Sequence, residues 1–192
     1  MKFISQMEPG FDACEREALN AYMLSGGWVT EFKKTREFEE SIAAYTGARY
    51  CSVVSNGTVS LFIALMACGV MTGDEVIVPD YTMVATPNAA ELTGAEVVFV
   101  DIDPNTLNIS VEALERCISD KTKMIFLVNL LGNPNDFDEI FKICNSRDII
   151  IIEDNCESLG AEYNGRQLGT FGLLGTYSSF YSHHICTMEG GV

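Results

Sequence analysis

Residues 124–152 read MIFLVNLLGNPNDFDEIFKICNSRDIIII. Five apolar residues at 124–128 give way to turn formers, then to helical spacing over 136–145, then to four isoleucines at 149–152. Strands that are apolar on both sides need cover on both sides, and the intervening helix supplies part of it, so the unit reads as strand, crossover helix and parallel strand. Working outward, further apolar runs lie at 50–54, 75–78 and 96–100, and helical spacing recurs at 58–68, 82–92 and 111–118. Two more helices precede the series, over 11–24 before Ser25-Gly26-Gly27 and over 33–45 before Gly47, each ending where glycine can take a left-handed cap. The alternation predicts a three-layer α/β/α domain around a mostly parallel sheet with right-handed crossovers.

The 192 residues suffice for one such domain, and 47% hydrophobic with 20% charged residues is a globular balance. A net charge of -15 offers no basic stripe for nucleic acid, although backbone N–H groups can still hold a phosphorylated ligand. Seven scattered cysteines contain no C-x-x-C pair and no metal-ligand spacing with the two histidines, which predicts reduced thiols and no metal centre. Neither an apolar leader nor a run of membrane-spanning length occurs. These features predict a cytoplasmic protein without membrane partners.

Ligands of a doubly wound sheet gather at the carboxyl ends of its strands, where three features fall. Ser55-Asn56-Gly57-Thr58 follows a strand and opens a helix, either as a phosphate-binding helix start or as a tight turn capped by Thr58. Glu153-Asp154 ends the isoleucine run, either facing a protonated heterocyclic nitrogen or acting as a capping acid or a structural ion pair. The third is residues 170–192, which hold the only histidines, His183 and His184, among serines and threonines, and no lysine. The last lysine is Lys142. His183 is either a general base or a packed imidazole.

Taken together, SNGTVSL, VIVPDYTMVATPNAAELTGAEVVFVDIDPNTL, TKMIFLVNLLGNPNDFDEI, IIEDNCESLGAEYNGRQLGTFG and SSFYSHHICTMEGG closely resemble the DegT/StrS family of sugar aminotransferases, from about residue 24 onward. The resemblance implies the large domain of a fold type I pyridoxal-phosphate enzyme, with residues 1–192 forming an N-terminal segment and most of that domain. It also implies a sheet incomplete at the C-terminus and a C-terminal small domain absent from this chain. By the same resemblance Gly57, Thr58 and Ser178 hold the cofactor phosphate, and Asp154 partners the pyridine nitrogen. Glu157 falls where many members carry Gln or His near the ring oxygen. Met83 falls where an aromatic residue usually stacks on the ring.

His183 occupies the position of the lysine that normally binds the cofactor covalently. A branch of the family with His-His here comprises nucleotide-linked 4-keto-6-deoxyhexose 3-dehydrases. That likeness implies pyridoxamine 5'-phosphate or pyridoxal 5'-phosphate as cofactor, a nucleotide sugar as substrate, an amino donor such as glutamate, and C3 deoxygenation with His183 as base. His184 is assigned to packing or orientation. The full-length protein is expected to be a homodimer working in lipopolysaccharide or other polysaccharide biosynthesis. Two other readings stand beside this one. One is an ordinary sugar aminotransferase, and the other is an inactive fragment or regulatory relic.

Overall fold

The computed structural model describes residues 3–4, 10–30 and 32–192. The first nine residues, read above as lacking a leader, lie largely outside them. Helix α1 (Ala13–Leu24) starts at Asp12, whose carboxylate accepts the Cys14 N–H while Glu15 reaches back to the Asp12 N–H, a reciprocal cap. Helix α2 (Lys33–Thr46) ends at Gly47, which takes the left-handed cap with φ 78°. The remaining helices are α3 (Gly57–Ala67), α4 (Ala85–Leu92), α5 (Val111–Cys117) and α6 (Phe137–Asn145). The strands are β1 (Glu75–Pro79), β2 (Glu96–Val100), β3 (Thr122–Val128), β4 (Ile150–Asp154), the two-residue pair β5 (Glu162–Tyr163) and β6 (Arg166–Gln167), and β7 (Leu174–Thr176).

Five strands form one parallel sheet in the order β2-β1-β3-β4-β7, and β5 and β6 form a separate antiparallel pair. Alternate residues of each strand bury on opposite faces. Val76, Val78, Met124, Phe126 and Ile152 pack with Leu61 and Leu65 of α3 and Ala89 and Ala90 of α4. Ile77, Ile125, Leu127 and Ile151 pack with Leu114 of α5 and Phe137 and Ile140 of α6. Period-two alternation between two covered faces makes the strands continuously apolar, and each fully buried aliphatic or aromatic side chain contributes about 1.5–3 kcal/mol. The three-layer α/β/α architecture expected from the sequence is the one observed.

The sheet differs from that expectation at its edge. Residues 50–54 do not form a strand; Val54 alone is bridged, antiparallel to Gly191. Its sequence has the right residues, but a strand also needs ladder partners, and among the described residues only Val54 finds one, exchanging N–H donations with Gly191. Conversely, residues 174–176 join the sheet as β7 despite two glycines nearby, because loop 168–172 anchors them from beneath β4. Among the described residues no helix is long and apolar enough to cross a membrane.

The strand order reverses at β1 and β3. From β1 the chain goes outward to β2, then returns to β3 on the other side of β1, which opens a crevice at their carboxyl ends.

Candidate active site

A cavity of about 410 Å³ occupies that crevice. Gly57, Thr58, Met83, Asp154, Glu157, Ser178 and His183, all singled out from the sequence, line it together.

Gly57 and Thr58 arrive by way of the sheet edge. Gly191 bridges both Val54 and Ser178, which draws the start of α3 against β7. Gly191 packs on that turn so closely that a Cβ there would lie 2.6 Å from the Gly57 nitrogen. At Gly57 a Cβ would meet Cys156 Sγ and Ser178 Cβ at 3.0 Å. The cap of α3 is Asn56, whose side-chain oxygen accepts the Val59 N–H at 2.9 Å; the sequence had offered Thr58 for that task. The N–H groups of Gly57 and Thr58 have no acceptor among the described residues, so the positive end of α3 faces the cavity with donors unused.

Glu153 and Asp154 point to opposite sides of β4, as strand neighbours must. Glu153 is fully buried and accepts four hydrogen bonds, from the N–H groups of Gly169, Phe171 and Gly172 at 2.6–2.7 Å and from Asn129 Nδ2 at 3.1 Å. Burial pushes its pKa above the ordinary carboxylate value, and the hydrogen bonds pull against that shift. Asp154 faces the cavity. Its Oδ2 accepts the Thr86 hydroxyl at 2.8 Å and its Oδ1 accepts the Cys156 N–H at 3.2 Å. Glu153 is thus structural, though it is held by amide donors and not by an ion pair, while Asp154 is the one of the two that faces the cavity.

His183 lies in a hairpin between β7 and the last residues. Tyr177 and Val192 exchange N–H donations, the Ser179 N–H bonds Gly190 O and the Tyr181 N–H bonds Met188 O. The His183 N–H closes a turn on Phe180 O at 2.9 Å, and its ring meets Phe180 edge-on with centroids 6.5 Å apart. Burial lowers the His183 pKa and neighbouring His184 adds to that, while Glu157 and Asp154 act in the opposite direction. The lowered value leaves the imidazole neutral at pH 7, the form that accepts a proton. Glu157 accepts the N–H of Leu131, a residue in left-handed backbone with φ 52°. Met83 is largely exposed beside the cavity, just before α4, which starts three residues later than its spacing suggested.

Sequence reasoning did not select Thr82, Thr86 or Asn129. Thr82 and Thr86 sit four apart just after β1, and that spacing of hydroxyls at a strand-to-helix junction was the available signal. Cys156 lines the cavity, but burial and the adjacent Asp154 raise its thiol pKa, so it is a protonated packing group. Among the described residues no cluster of three His, Cys, Asp or Glu suits a metal ion.

Residues 11–192 match the DegT/DnrJ/EryC1/StrS aminotransferase family. The chain belongs to this family. Among relatives, GDP-4-keto-6-deoxy-D-mannose 3-dehydratase of Escherichia coli O55:H7 is 46% identical over 187 residues, covering 94% of this chain and 48% of that protein. GDP-perosamine synthase of Escherichia coli O157:H7 is 40% identical, covering 100% of this chain and 53% of the relative. A solved GDP-4-keto-6-deoxymannose-3-dehydratase with a trapped PLP-glutamate geminal diamine superposes with TM-score 0.92 at 44% identity, over 97% of this chain and 50% of the other. The chain thus spans about half the length of the curated relatives it matches.

The cavity of this DegT/DnrJ/EryC1/StrS member fits pyridoxal phosphate on its own geometry. Two unused N–H groups and the Ser178 hydroxyl could hold a phosphate, and Cβ-free Gly57 leaves the approach open. Asp154 could face a ring nitrogen, and Met83 could cover a ring face with its thioether.

Proposed function

We propose that the protein acts on a GDP-linked 4-keto-6-deoxy sugar and removes its C3 hydroxyl, with His183 as base. The observation that carries this reading is the side chain at the mouth of the cavity. His183 stands there, and among the described residues no lysine lines the cavity. Lys123, by contrast, is tied to Asp74 at 3.0 Å near the amino end of β3.

Gly57, Thr58 and Ser178 bind the cofactor phosphate, Asp154 partners the ring nitrogen, and Met83 covers one face. Bound there, pyridoxamine phosphate joined to the sugar's C4 would supply, at its own C4′ carbon, the proton to be removed and, in its ring, the electron sink through which the C3 hydroxyl can leave. His183, neutral at pH 7, takes and holds that proton on its imidazole. A departing hydroxyl needs a proton donor, and Glu157, Ser182 and protonated His183 line the same space. Glu157 and Asp154 both favour the imidazolium, which eases proton uptake. Phe180 and Leu130 line the cavity as apolar groups that keep water from it.

Glutamate as amino donor is supported by the PLP-glutamate adduct in the solved dehydratase above. A place in the cytoplasmic assembly of deoxysugars for lipopolysaccharide follows from the substrate class. Homodimerisation is supported by α1, which buries no residue and leaves Leu19 and Met23 exposed, and by Trp28, exposed in the segment that follows it. Aminotransfer is the second reading, supported by the match of perosamine synthase across the whole chain.

Borohydride reduction in the presence of pyridoxal phosphate, followed by intact-mass analysis, separates the two. Saturable binding without a covalent adduct agrees with a histidine-based dehydratase. A stoichiometric adduct on a lysine sinks it in favour of aminotransfer. In His183→Lys the adduct should appear at the new lysine.

A further inference from the structure

Asp154 is held by a hydroxyl that neither the family likeness nor the sequence motifs assigned. We propose that Thr86, backed by Thr82, is the positioning residue for the Asp154 carboxylate, an inference that rests on the pyridoxal phosphate reading above. Thr86 is fully buried in the first turn of α4. Its Oγ1 lies 2.8 Å from Asp154 Oδ2 and 3.2 Å from Thr82 Oγ1. A threonine hydroxyl has one proton, and a carboxylate can only accept. Thr86 therefore donates to Asp154, and the Thr82 contact is left with one direction, Thr82 donating to Thr86. Two hydroxyls in series polarise each other toward the carboxylate.

The geometry also fixes which way Asp154 faces. Oδ1 is held by the Cys156 N–H from its own strand end, and Oδ2 by Thr86 from α4. A carboxylate anchored at both oxygens by different elements has one orientation, and the cavity lies along it. Met83 lies three residues before Thr86 and its carbonyl accepts the Thr86 N–H at 3.0 Å. The lead-in to α4 thus carries both the candidate ring cover and the support of the candidate ring-nitrogen partner. Displacing Thr86 loosens both.

Thr86→Val keeps the volume and removes the hydroxyl, Thr86→Ser keeps the hydroxyl, and Thr82→Val removes only the outer one. Two quantities are read on the full chain, with circular dichroism checking the fold. The first is the dissociation constant for pyridoxal phosphate. The second is the Asp154 carboxyl-carbon resonance in cofactor-free protein labelled with 13C-aspartate, assigned with Asp154→Asn. Thr86→Val should weaken binding about tenfold, the scale of one hydrogen bond to a charged group, and move the resonance. Thr86→Ser should stay within about twofold of the parent, and Thr82→Val should fall between them, since it acts through one more bond. Valine behaving as the parent overturns the proposal, as does serine behaving as valine, which would indicate packing by the methyl group. If Thr86→Val does not fold, an unmoved resonance in Thr82→Val overturns it. If the parent chain binds no pyridoxal phosphate, the cofactor reading falls, while the resonance still decides the role of Thr86.

Discussion

Glu153 and Asp154 are adjacent carboxylates at the end of one strand, yet they serve opposite ends. On the Glu153 side the nearby polar groups are almost all spent, the side-chain oxygen of Asn135 being the one buried atom there without a partner among the described residues. Four donors converge on the carboxylate, Asn129 also bonds Asn155, Asn135 bonds Asn129 and the Val128 carbonyl, and Ser158 bonds Asn155. On the Asp154 side two donors hold the carboxylate and its outward face remains open to a cavity with unused N–H groups. A saturated buried carboxylate ties loop 168–172 to β4; the other, held by two donors, keeps a face toward the cavity. The difference is one step of strand alternation.

Breaking the saturated side should have the largest effect. Glu153→Gln turns one acceptor into a donor that faces other donors, so we expect a loss of roughly 3 kcal/mol or more in urea denaturation. A near-neutral result would mean the loop does not depend on this carboxylate. Asp154→Asn should do the reverse. It should leave stability within about 1 kcal/mol while weakening pyridoxal phosphate binding on the order of a hundredfold, as expected for losing a charged hydrogen-bond partner. Equal losses of stability for the two variants would erase the contrast.

A smaller effect belongs to the helix start. Gly57→Ala puts a methyl group 3.0 Å from Cys156 Sγ and Ser178 Cβ, two short side chains with little room to yield. We expect about 1–3 kcal/mol of overpacking and weaker phosphate binding, read by denaturation and by competition with inorganic phosphate. Unchanged phosphate affinity would remove Gly57 from the cradle.

The smallest effect is the titration of His183. With only two histidines, proton NMR with a His184→Gln control resolves it, and the midpoint should lie below 6.5. Glu157→Gln should lower it further, because Glu157 favours the imidazolium. The folded value is depressed below the unfolded one, so the folded state binds this proton less readily. Stability from this group therefore falls as pH drops below 6.5 and is unaffected above it. A midpoint above 6.5 would contradict the half-buried setting of the ring.

Much of this arrangement was legible in the chain itself. Continuous apolar runs such as 124–128 and 149–152 can be satisfied only between two helical layers, so the parallel three-layer fold followed from patterning. All seven residues that the family motifs picked out line the cavity, because ligand groups in such folds cluster at strand ends. Three matters were decided only by tertiary structure. Whether 50–54 pairs depends on a neighbour distant in sequence, and ladder partners are not encoded locally. Which carboxylate of Glu153-Asp154 faces the cavity depends on the register of β4 against β3 and on the loop that claims the other side. The hydroxyl that holds Asp154 lies 68 residues earlier, on α4. Sequence fixes local propensity and periodicity, whereas a contact at such separation exists only once strands β1, β3 and β4 have aligned their carboxyl ends.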